Sequence, residues 1–216
     1  MNSNSLRRYG ATGWLRKATL GLFTSLAMVS GALAAPVTIV ALGDSLTHGY
    51  GLPVEEGFVP QLEAWLHENG APEVVVKNAG VSGDTTAGGL ERFEWSMAEG
   101  GDAVIVELGG NDLLRGIDPA SSRMNLDGIL AKAADRNLPV LLTGMQAPIN
   151  YGPEYKETFD AMYPELAEQY GAIYDPFFLE GMMDKPDLFQ SDGIHPNSEG
   201  VATLVERFGP LVLQLI

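Results

Sequence analysis

The sequence of 216 residues contains no cysteine and only three histidines. Without cysteine the chain forms no disulfide and carries no lipid on an N-terminal cysteine. Zinc in proteins is bound mainly by cysteine and histidine, and the chain has too few of these residues to form a zinc cluster. The acids Asp184, Asp187 and Asp192 lack the spacing of a calcium-binding loop. We therefore expect no metal and no cofactor.

Several common enzyme motifs are also missing. The chain has no Gly-x-Ser-x-Gly sequence, which marks the nucleophile of α/β-hydrolases. It has no Walker loop for nucleoside triphosphates and no glycine-rich fingerprint for dinucleotides. These absences argue against those three classes of enzyme.

Basic residues are scarce, since 13 Lys and Arg stand against 28 Asp and Glu and give a formal net charge of −15. A surface of that sign repels phosphate groups, so we expect no nucleic acid partner. Anionic membranes would repel it as well, so any lipid substrate is expected as a monomer, micelle or product. The simplest interpretation of the acidity is solubility in an exposed compartment.

The first 34 residues differ in composition from the rest of the chain. They contain four basic residues and no acid, and an apolar stretch at 18–34 ends in Ala-Leu-Ala. This pattern is typical of a secretory signal peptide and is too short for a stable membrane span. We predict cleavage after Ala34, no membrane anchor, and a periplasmic or secreted protein. The remaining residues, 35–216, fit one domain with a net charge of about −19.

Two kinds of apolar segment alternate along residues 35–216. Short continuous runs predict five strands, at 37–42, 74–78, 103–108, 140–145 and 172–175. Apolar residues at helical spacing predict helices around 58–66, 126–133, 159–170 and 201–208, the last beginning after Asn197. Alternating strands and helices predict an α/β fold, in which a mostly parallel sheet lies between two layers of helices.

Two polar blocks near opposite ends of this domain contain the groups that a serine hydrolase needs. Ser45 lies in Gly43-Asp44-Ser45-Leu46, directly after the first strand, and therefore at the carboxyl edge of the sheet. Asp192 and His195 lie three residues apart in the second block, close enough to meet on one turn of chain. A serine becomes nucleophilic beside an imidazole that a third group holds in one tautomer. We predict Ser45 as nucleophile, His195 as base and Asp192 as the orienting acid.

Other polar residues near these blocks have competing interpretations. His48 is the alternative base, since it lies three residues from Ser45, although no carboxylate is evidently placed to orient it. Glu107 lies in an apolar strand, so we expect it to be buried, to accept backbone hydrogen bonds and to have a perturbed pKa. Asp44 and Asp112 are expected to form hydrogen bonds within their own loops.

Two further polar blocks follow predicted strands. Asn78-Ala79-Gly80-Val81-Ser82-Gly83-Asp84-Thr85 follows the second strand, and Gly109-Gly110-Asn111-Asp112 follows the third. Three strand ends can thus converge on one crevice. An oxyanion requires preorganised donors there, and Gly83 and Asn111 are suitable because one offers a backbone N–H and the other a side-chain amide.

Together the four blocks resemble the GDSL, or SGNH, hydrolase family, whose name lists a serine, glycine, asparagine and histidine. These are Ser45, Gly83, Asn111 and His195 here, and the resemblance extends over roughly residues 37–208. It implies a five-stranded sheet in the flavodoxin-like order. It also implies an oxyanion hole formed by the N–H groups of Ser45 and Gly83 and the side chain of Asn111. The blocks are most similar to those of the bacterial periplasmic arylesterase, thioesterase and lysophospholipase group.

The resemblance implies a serine esterase that hydrolyses acyl esters, and also thioesters, through an acyl-enzyme. Its partner would be a small acyl ester or thioester. Apolar residues after Asn111 and around 148–155 are expected to line the acyl groove, namely Leu113, Leu114, Ile117, Ile149 and Tyr151. Two alternatives stay open, a carbohydrate O-deacetylase of the same fold and a non-catalytic periplasmic binding domain.

Overall fold

The computed structural model describes residues 36–216, and the predicted signal peptide at 1–34 lies outside the described residues. The strands of this part are β1 (Val37–Gly43), β2 (Val74–Gly80), β3 (Ala103–Glu107), β4 (Val140–Thr143) and β5 (Ile173–Asp175). The α-helices are α1 (Ser45–His48), α2 (Phe58–Glu68), α3 (Thr86–Ser96), α4 (Gly110–Leu114), α5 (Pro119–Asp135), α6 (Pro153–Tyr170) and α7 (Ser198–Val212). No helix of the described part is long and apolar enough to cross a membrane.

All five strands pair in parallel, in the order β2-β1-β3-β4-β5. The prediction of an α/β fold with the flavodoxin-like order is therefore confirmed, and each strand begins and ends within two residues of its predicted position. Every residue of β3 and β4 is buried, as expected for a sheet covered on both faces. The runs of valine, isoleucine and leucine in the sequence supply this double-sided core.

The helices pack against one another in two groups, α2 with α7, and α5 with both α3 and α6. The predicted helices correspond to α2, α5, α6 and α7, and α7 begins after Asn197, whose side chain accepts a hydrogen bond from the Gly200 N–H. Helix α3 has no predicted counterpart. Its pattern is interrupted by Gly88 and Gly89, and a Cβ on Gly89 would lie 2.3 Å from a methyl carbon of Leu108. Close packing of the helix against the strand end thus requires a residue that weakens the helical signal.

The register brings the ends of β1, β2 and β3 level with one another. Gly43, the last residue of β1, pairs with Gly80 of β2 on one side and with Glu107 of β3 on the other. Helix α1 begins two residues later and lies against β2, where a Cβ on Gly80 would be 2.4 Å from the backbone nitrogen of His48. Only glycine allows this approach, which fixes the position of Ser45 at the sheet edge.

We predict that Gly80→Ala destabilises the fold by about 1 to 3 kcal/mol, because the added methyl must displace the backbone of α1. Esterase activity should fall as well, since Ser45 is the first residue of that helix. Val75→Ala, at an exposed position of the same strand, is the control and should cost less than about 1 kcal/mol. Urea denaturation of both variants measures the difference, and equal costs would contradict the steric argument.

Candidate active site

Ser45 lies at the junction of β1 and α1. The carboxylate of Asp44 caps the helix by accepting a hydrogen bond from the Leu46 N–H at 3.0 Å. The backbone of the preceding strand is buried, whereas Ser45 itself is partly exposed. The hydroxyl therefore stands at the edge of a rigid element and remains accessible to a ligand.

Folding brings His195 to Ser45 across 150 positions of sequence. The Nε2 atom of His195 is 2.8 Å from Ser45 Oγ, and its Nδ1 is 2.7 Å from Asp192 Oδ2. The other oxygen of Asp192 accepts the N–H groups of Ile194 and His195 at 2.9 and 3.0 Å. The hydrogen bond from His195 and these backbone bonds lower the pKa of Asp192 to about 2. The carboxylate therefore stays charged at neutral pH and holds the ring with Nε2 toward Ser45.

The second histidine near the site does not reach the serine. His48 is exposed, and its Nδ1 lies 3.0 Å from the hydroxyl of Ser82. Tyr50, two residues further on, packs its ring against His195 with 4.6 Å between centroids. Of the two candidate bases, only His195 is hydrogen-bonded both to Ser45 and to a carboxylate.

Gly83 and Asn111 lie in the same cavity as Ser45. Gly83 has φ of +83°, a left-handed conformation that favours glycine, and its carbonyl accepts a hydrogen bond from Arg115 at 2.6 Å. Asn111 lies in the first turn of α4, and its Nδ2 donates to Asp44 Oδ2 at 2.9 Å. The four family blocks are thus assembled at one edge of the sheet.

The cavity beside Ser45 has a volume of about 450 Å³ and a mostly apolar wall. Of the five residues predicted for an acyl groove, Leu113 and Leu114 line it. Ile117, Ile149 and Tyr151 do not, and Tyr151 instead borders a separate cleft near the start of α6. Pro148, at the start of the predicted segment 148–155, lines it as well. The wall also includes apolar residues that the sequence interpretation did not single out, namely Met145, Phe177, Leu179, Met183 and Phe189.

Several of these residues follow the carboxyl ends of β4 and β5. Met145 comes two residues after β4 ends, and Phe177 two residues after β5 ends. Their position was therefore implied by the predicted topology, since ligands of open α/β sheets bind outside the carboxyl ends of strands. Among residues 36–216, no group of three or more histidine or acidic side chains is arranged to hold a metal ion.

Comparison with known proteins agrees with this arrangement. The model of the GDSL-like lipase/acylhydrolase family matches residues 41–202. The chain belongs to this family. It is 42% identical to Esterase TesA of Pseudomonas aeruginosa, over 85% of this chain and 91% of that protein. It is 38% identical to thioesterase 1/protease 1/lysophospholipase L1 of Escherichia coli K12, over 82% and 84% of the two chains.

A solved structure of the same kind shows the same architecture. The crystal structure of AlinE4, an SGNH-hydrolase family esterase, is 46% identical and superposes with a TM-score of 0.72. The match covers 85% of this chain and 98% of that one. The resemblance expected from the four sequence blocks is therefore confirmed at the level of family and fold.

Beneath Ser45, this GDSL-family protein buries two carboxyl groups, those of Asp44 and Glu107. Glu107 is fully buried at the end of β3, and its Oε2 accepts hydrogen bonds from the Thr47 hydroxyl at 2.8 Å and the Asp44 N–H at 3.3 Å. Burial, together with the nearby charge of Asp44, raises the pKa of Glu107 well above its usual range. The expectation of a buried Glu107 with a perturbed pKa agrees with the structure, but its donors include a side chain as well as the backbone.

Asp112, next to Asn111, differs from expectation. Its carboxylate does not serve its own loop but accepts hydrogen bonds from the Thr86 N–H and hydroxyl, at 2.9 and 2.6 Å, and from the Ser122 hydroxyl at 2.8 Å. It thereby ties α4 to α3 and α5. The sequence did not indicate this role because α3 itself was not predicted.

We predict that Glu107→Gln becomes more stable relative to the wild type as the pH rises from 5 to 8. A carboxyl group whose pKa is raised by folding binds a proton more tightly in the native state, so its presence costs stability once the unfolded chain has ionised. Glutamine carries no titrating proton and avoids that cost. Urea denaturation of both proteins at pH 5, 6.5 and 8 tests this.

The exposed Glu55→Gln variant is the matched control, because it removes the same charge without burial. A difference between the Glu107→Gln protein and the wild type that stays constant from pH 5 to 8 would mean that Glu107 is already ionised in the folded protein, and would contradict the prediction.

Proposed function

We propose that this protein is a serine ester hydrolase in which Ser45, His195 and Asp192 act through an acyl-enzyme. The observation that carries the proposal is the unbroken series of hydrogen bonds from Asp192 through His195 to Ser45, at 2.7 and 2.8 Å. Ester hydrolysis is also what relatives at 38 to 42% identity are named for.

In the first step, Ser45 Oγ attacks the carbonyl carbon of the ester while its proton passes to His195 Nε2. The negative charge of the tetrahedral intermediate moves to the former carbonyl oxygen, where the N–H groups of Ser45 and Gly83 and the amide of Asn111 would receive it. His195 then gives its proton to the leaving alcohol or thiol as that bond breaks. Water, deprotonated by His195, then attacks the acyl carbon. The bond from that carbon to Ser45 Oγ breaks, His195 returns the proton to Oγ, and the acid is released.

The walls of the cavity support an acyl chain as the principal recognised group. A ring of leucine, methionine and phenylalanine side chains surrounds the space next to Ser45, and a hydrocarbon chain gains free energy on transfer to such surroundings. Aryl esters, acyl thioesters and lysophospholipids share this chain and differ in their leaving groups. We propose acyl esters and thioesters of this kind as the substrate class.

Ser45→Ala should abolish hydrolysis of p-nitrophenyl esters with acyl chains of any length, while circular dichroism and the melting temperature stay close to those of the wild type. His195→Ala should lower kcat by several orders of magnitude, because no other base within residues 36–216 is hydrogen-bonded to Ser45 Oγ. His48→Ala is the matched control, a histidine near the site without that bond, and should lower kcat by at most about tenfold.

The wild type is assayed with the same series of chain lengths to define the substrate preference. A covalent phosphonate adduct detected by mass spectrometry should lie on Ser45 alone. Wild-type activity in a folded Ser45→Ala protein would refute the mechanism, and a larger loss in His48→Ala than in His195→Ala would make His48 the base.

We also propose that residues 1–34 direct export and that the mature enzyme begins at Ala35, in the periplasm or outside the cell. The support is the basic and then apolar composition of this segment and its Ala-Leu-Ala end. Expression of the full chain in a Gram-negative host should yield a periplasmic protein with Ala35 at its N-terminus. Ala34→Trp, which places a bulky residue at the cleavage site, should accumulate the unprocessed form. N-terminal sequencing decides, and an intact Met1 in the soluble cytoplasm would contradict the proposal.

A further inference from the structure

The Asp44 carboxylate lies between the helix that carries Ser45 and the helix that carries Asn111. One oxygen accepts the Leu46 N–H at 3.0 Å, and the other accepts Asn111 Nδ2 at 2.9 Å. The two helices approach closely here, since a Cβ on Gly110 would lie 3.2 Å from Asp44 Oδ2. Asp44 is 2% exposed, so water does not compete for these bonds.

The direction in which the Asn111 amide points decides whether it can help the reaction. An amide has an NH2 group at one end and a carbonyl oxygen at the other, and the two ends are nearly the same size. Turned one way, Asn111 offers N–H to the developing oxyanion, and turned the other way it presents a second oxygen that repels it. An ionised carboxylate only accepts hydrogen bonds, so Asp44 attracts the NH2 end, and the second hydrogen of the same nitrogen remains for the substrate.

Glu107 supports this arrangement from below. Its Oε2 accepts the Asp44 N–H at 3.3 Å and the Thr47 hydroxyl at 2.8 Å, which ties the start of α1 to the end of β3. Within residues 36–216 its Oε1 is buried and accepts no N–H or O–H. Burial raises the pKa of both groups, and that of Glu107 the further, so the proton belongs to Glu107 and the negative charge to Asp44. Two ionised carboxylates in contact at this depth would repel each other strongly.

We propose that Asp44 is a positioning residue, which fixes the Asn111 amide in the orientation that donates to the oxyanion, and that Glu107 holds Asp44 in place for this role. The inference rests on the proposed function, because it requires that Asn111 stabilise a transition state. The Asp44 carboxylate is hydrogen-bonded to the Leu46 N–H and to Asn111, whereas Ser45 Oγ is bonded to His195, so Asn111 is the route by which Asp44 would act.

A double-mutant cycle on kcat tests this route, with p-nitrophenyl hexanoate as substrate and the wild type, Asp44→Asn, Asn111→Ala and the double variant as enzymes. Asn111→Ala should lower kcat by about a hundredfold or more with little change in KM. Asp44→Asn, which replaces one accepting oxygen with an NH2 group, should lower kcat by about ten- to a hundredfold, also with KM nearly unchanged. In the Asn111→Ala background, Asp44→Asn should cost less than about threefold.

Asp175→Asn is the control variant, because it also replaces a buried carboxylate with a neutral amide. Asp175 is also 2% exposed and pairs with Thr143 and Arg207 at the end of β5, but it does not line the cavity. This variant should lose stability and keep kcat within about threefold of the wild type. An equally large loss of kcat in the folded Asp175→Asn protein would contradict a specific role for Asp44.

A second pair of variants addresses the case in which Asp44→Asn does not fold. Glu107→Gln preserves an oxygen that accepts the Asp44 N–H and the Thr47 hydroxyl, whereas Glu107→Leu removes it. Glu107→Gln should therefore retain at least about tenfold more kcat than Glu107→Leu, with similar KM. Equal kcat values in the two folded proteins would overturn the role of Glu107.

The outcomes separate this inference from the proposed function. If Asp44→Asn costs as much in the Asn111→Ala background as in the wild type, then Asp44 does not act through Asn111 and the inference fails alone. If Asn111→Ala leaves kcat unchanged, then both the proposed oxyanion role of Asn111 and the present inference fail, while the requirement for Ser45 stands on its own test.

Discussion

The parallel register of β1, β2 and β3 is the constraint on which the rest of the site depends. Because Gly43 pairs with both Gly80 and Glu107, the segments that follow these three strands leave the sheet at the same level. Ser45, Gly83 and Asn111 therefore meet without any long loop to bring them together. His195 is the exception, since it arrives on a loop just before α7 and joins Ser45 through a single hydrogen bond.

The same register buries polar groups, and their burial lowers the stability of the fold. Glu107 ends a fully buried strand and lies under Asp44, so two carboxyl groups share a region from which water is excluded. Removing an ionised carboxylate from water costs several kcal/mol even after the protein relaxes. The hydrogen bonds that Glu107 accepts from the Thr47 hydroxyl and the Asp44 N–H offset part of that cost. The fold thus loses stability directly beneath Ser45, which is the pattern expected if a charged group there serves to orient a donor.

The sequence predicted the fold well because most of its signals are local. Continuous apolar runs mark all five strands. Apolar residues at helical spacing mark four of the helices, namely α2, α5, α6 and α7. Asp192 and His195 could be paired from sequence because a single turn of chain holds both. The links from Asp44 to Asn111 and from Asp112 to Thr86 and Ser122 could not, because they span between 10 and 67 positions and depend on how helices meet.

The residues of the acyl groove were only partly predicted, because most of them follow different strands from the residues proposed to act in catalysis. The residues proposed to carry out catalysis come from the ends of β1, β2 and β3 and from the last loop, where short motifs mark them. Much of the apolar wall follows β4 and β5 instead, and there the only requirement is a hydrophobic side chain of suitable size. Such positions leave no motif in the sequence. Because these apolar side chains take no part in the hydrogen bonds of Asp192, His195 and Asp44, their size can change the space for an acyl chain without removing a hydrogen bond at Ser45.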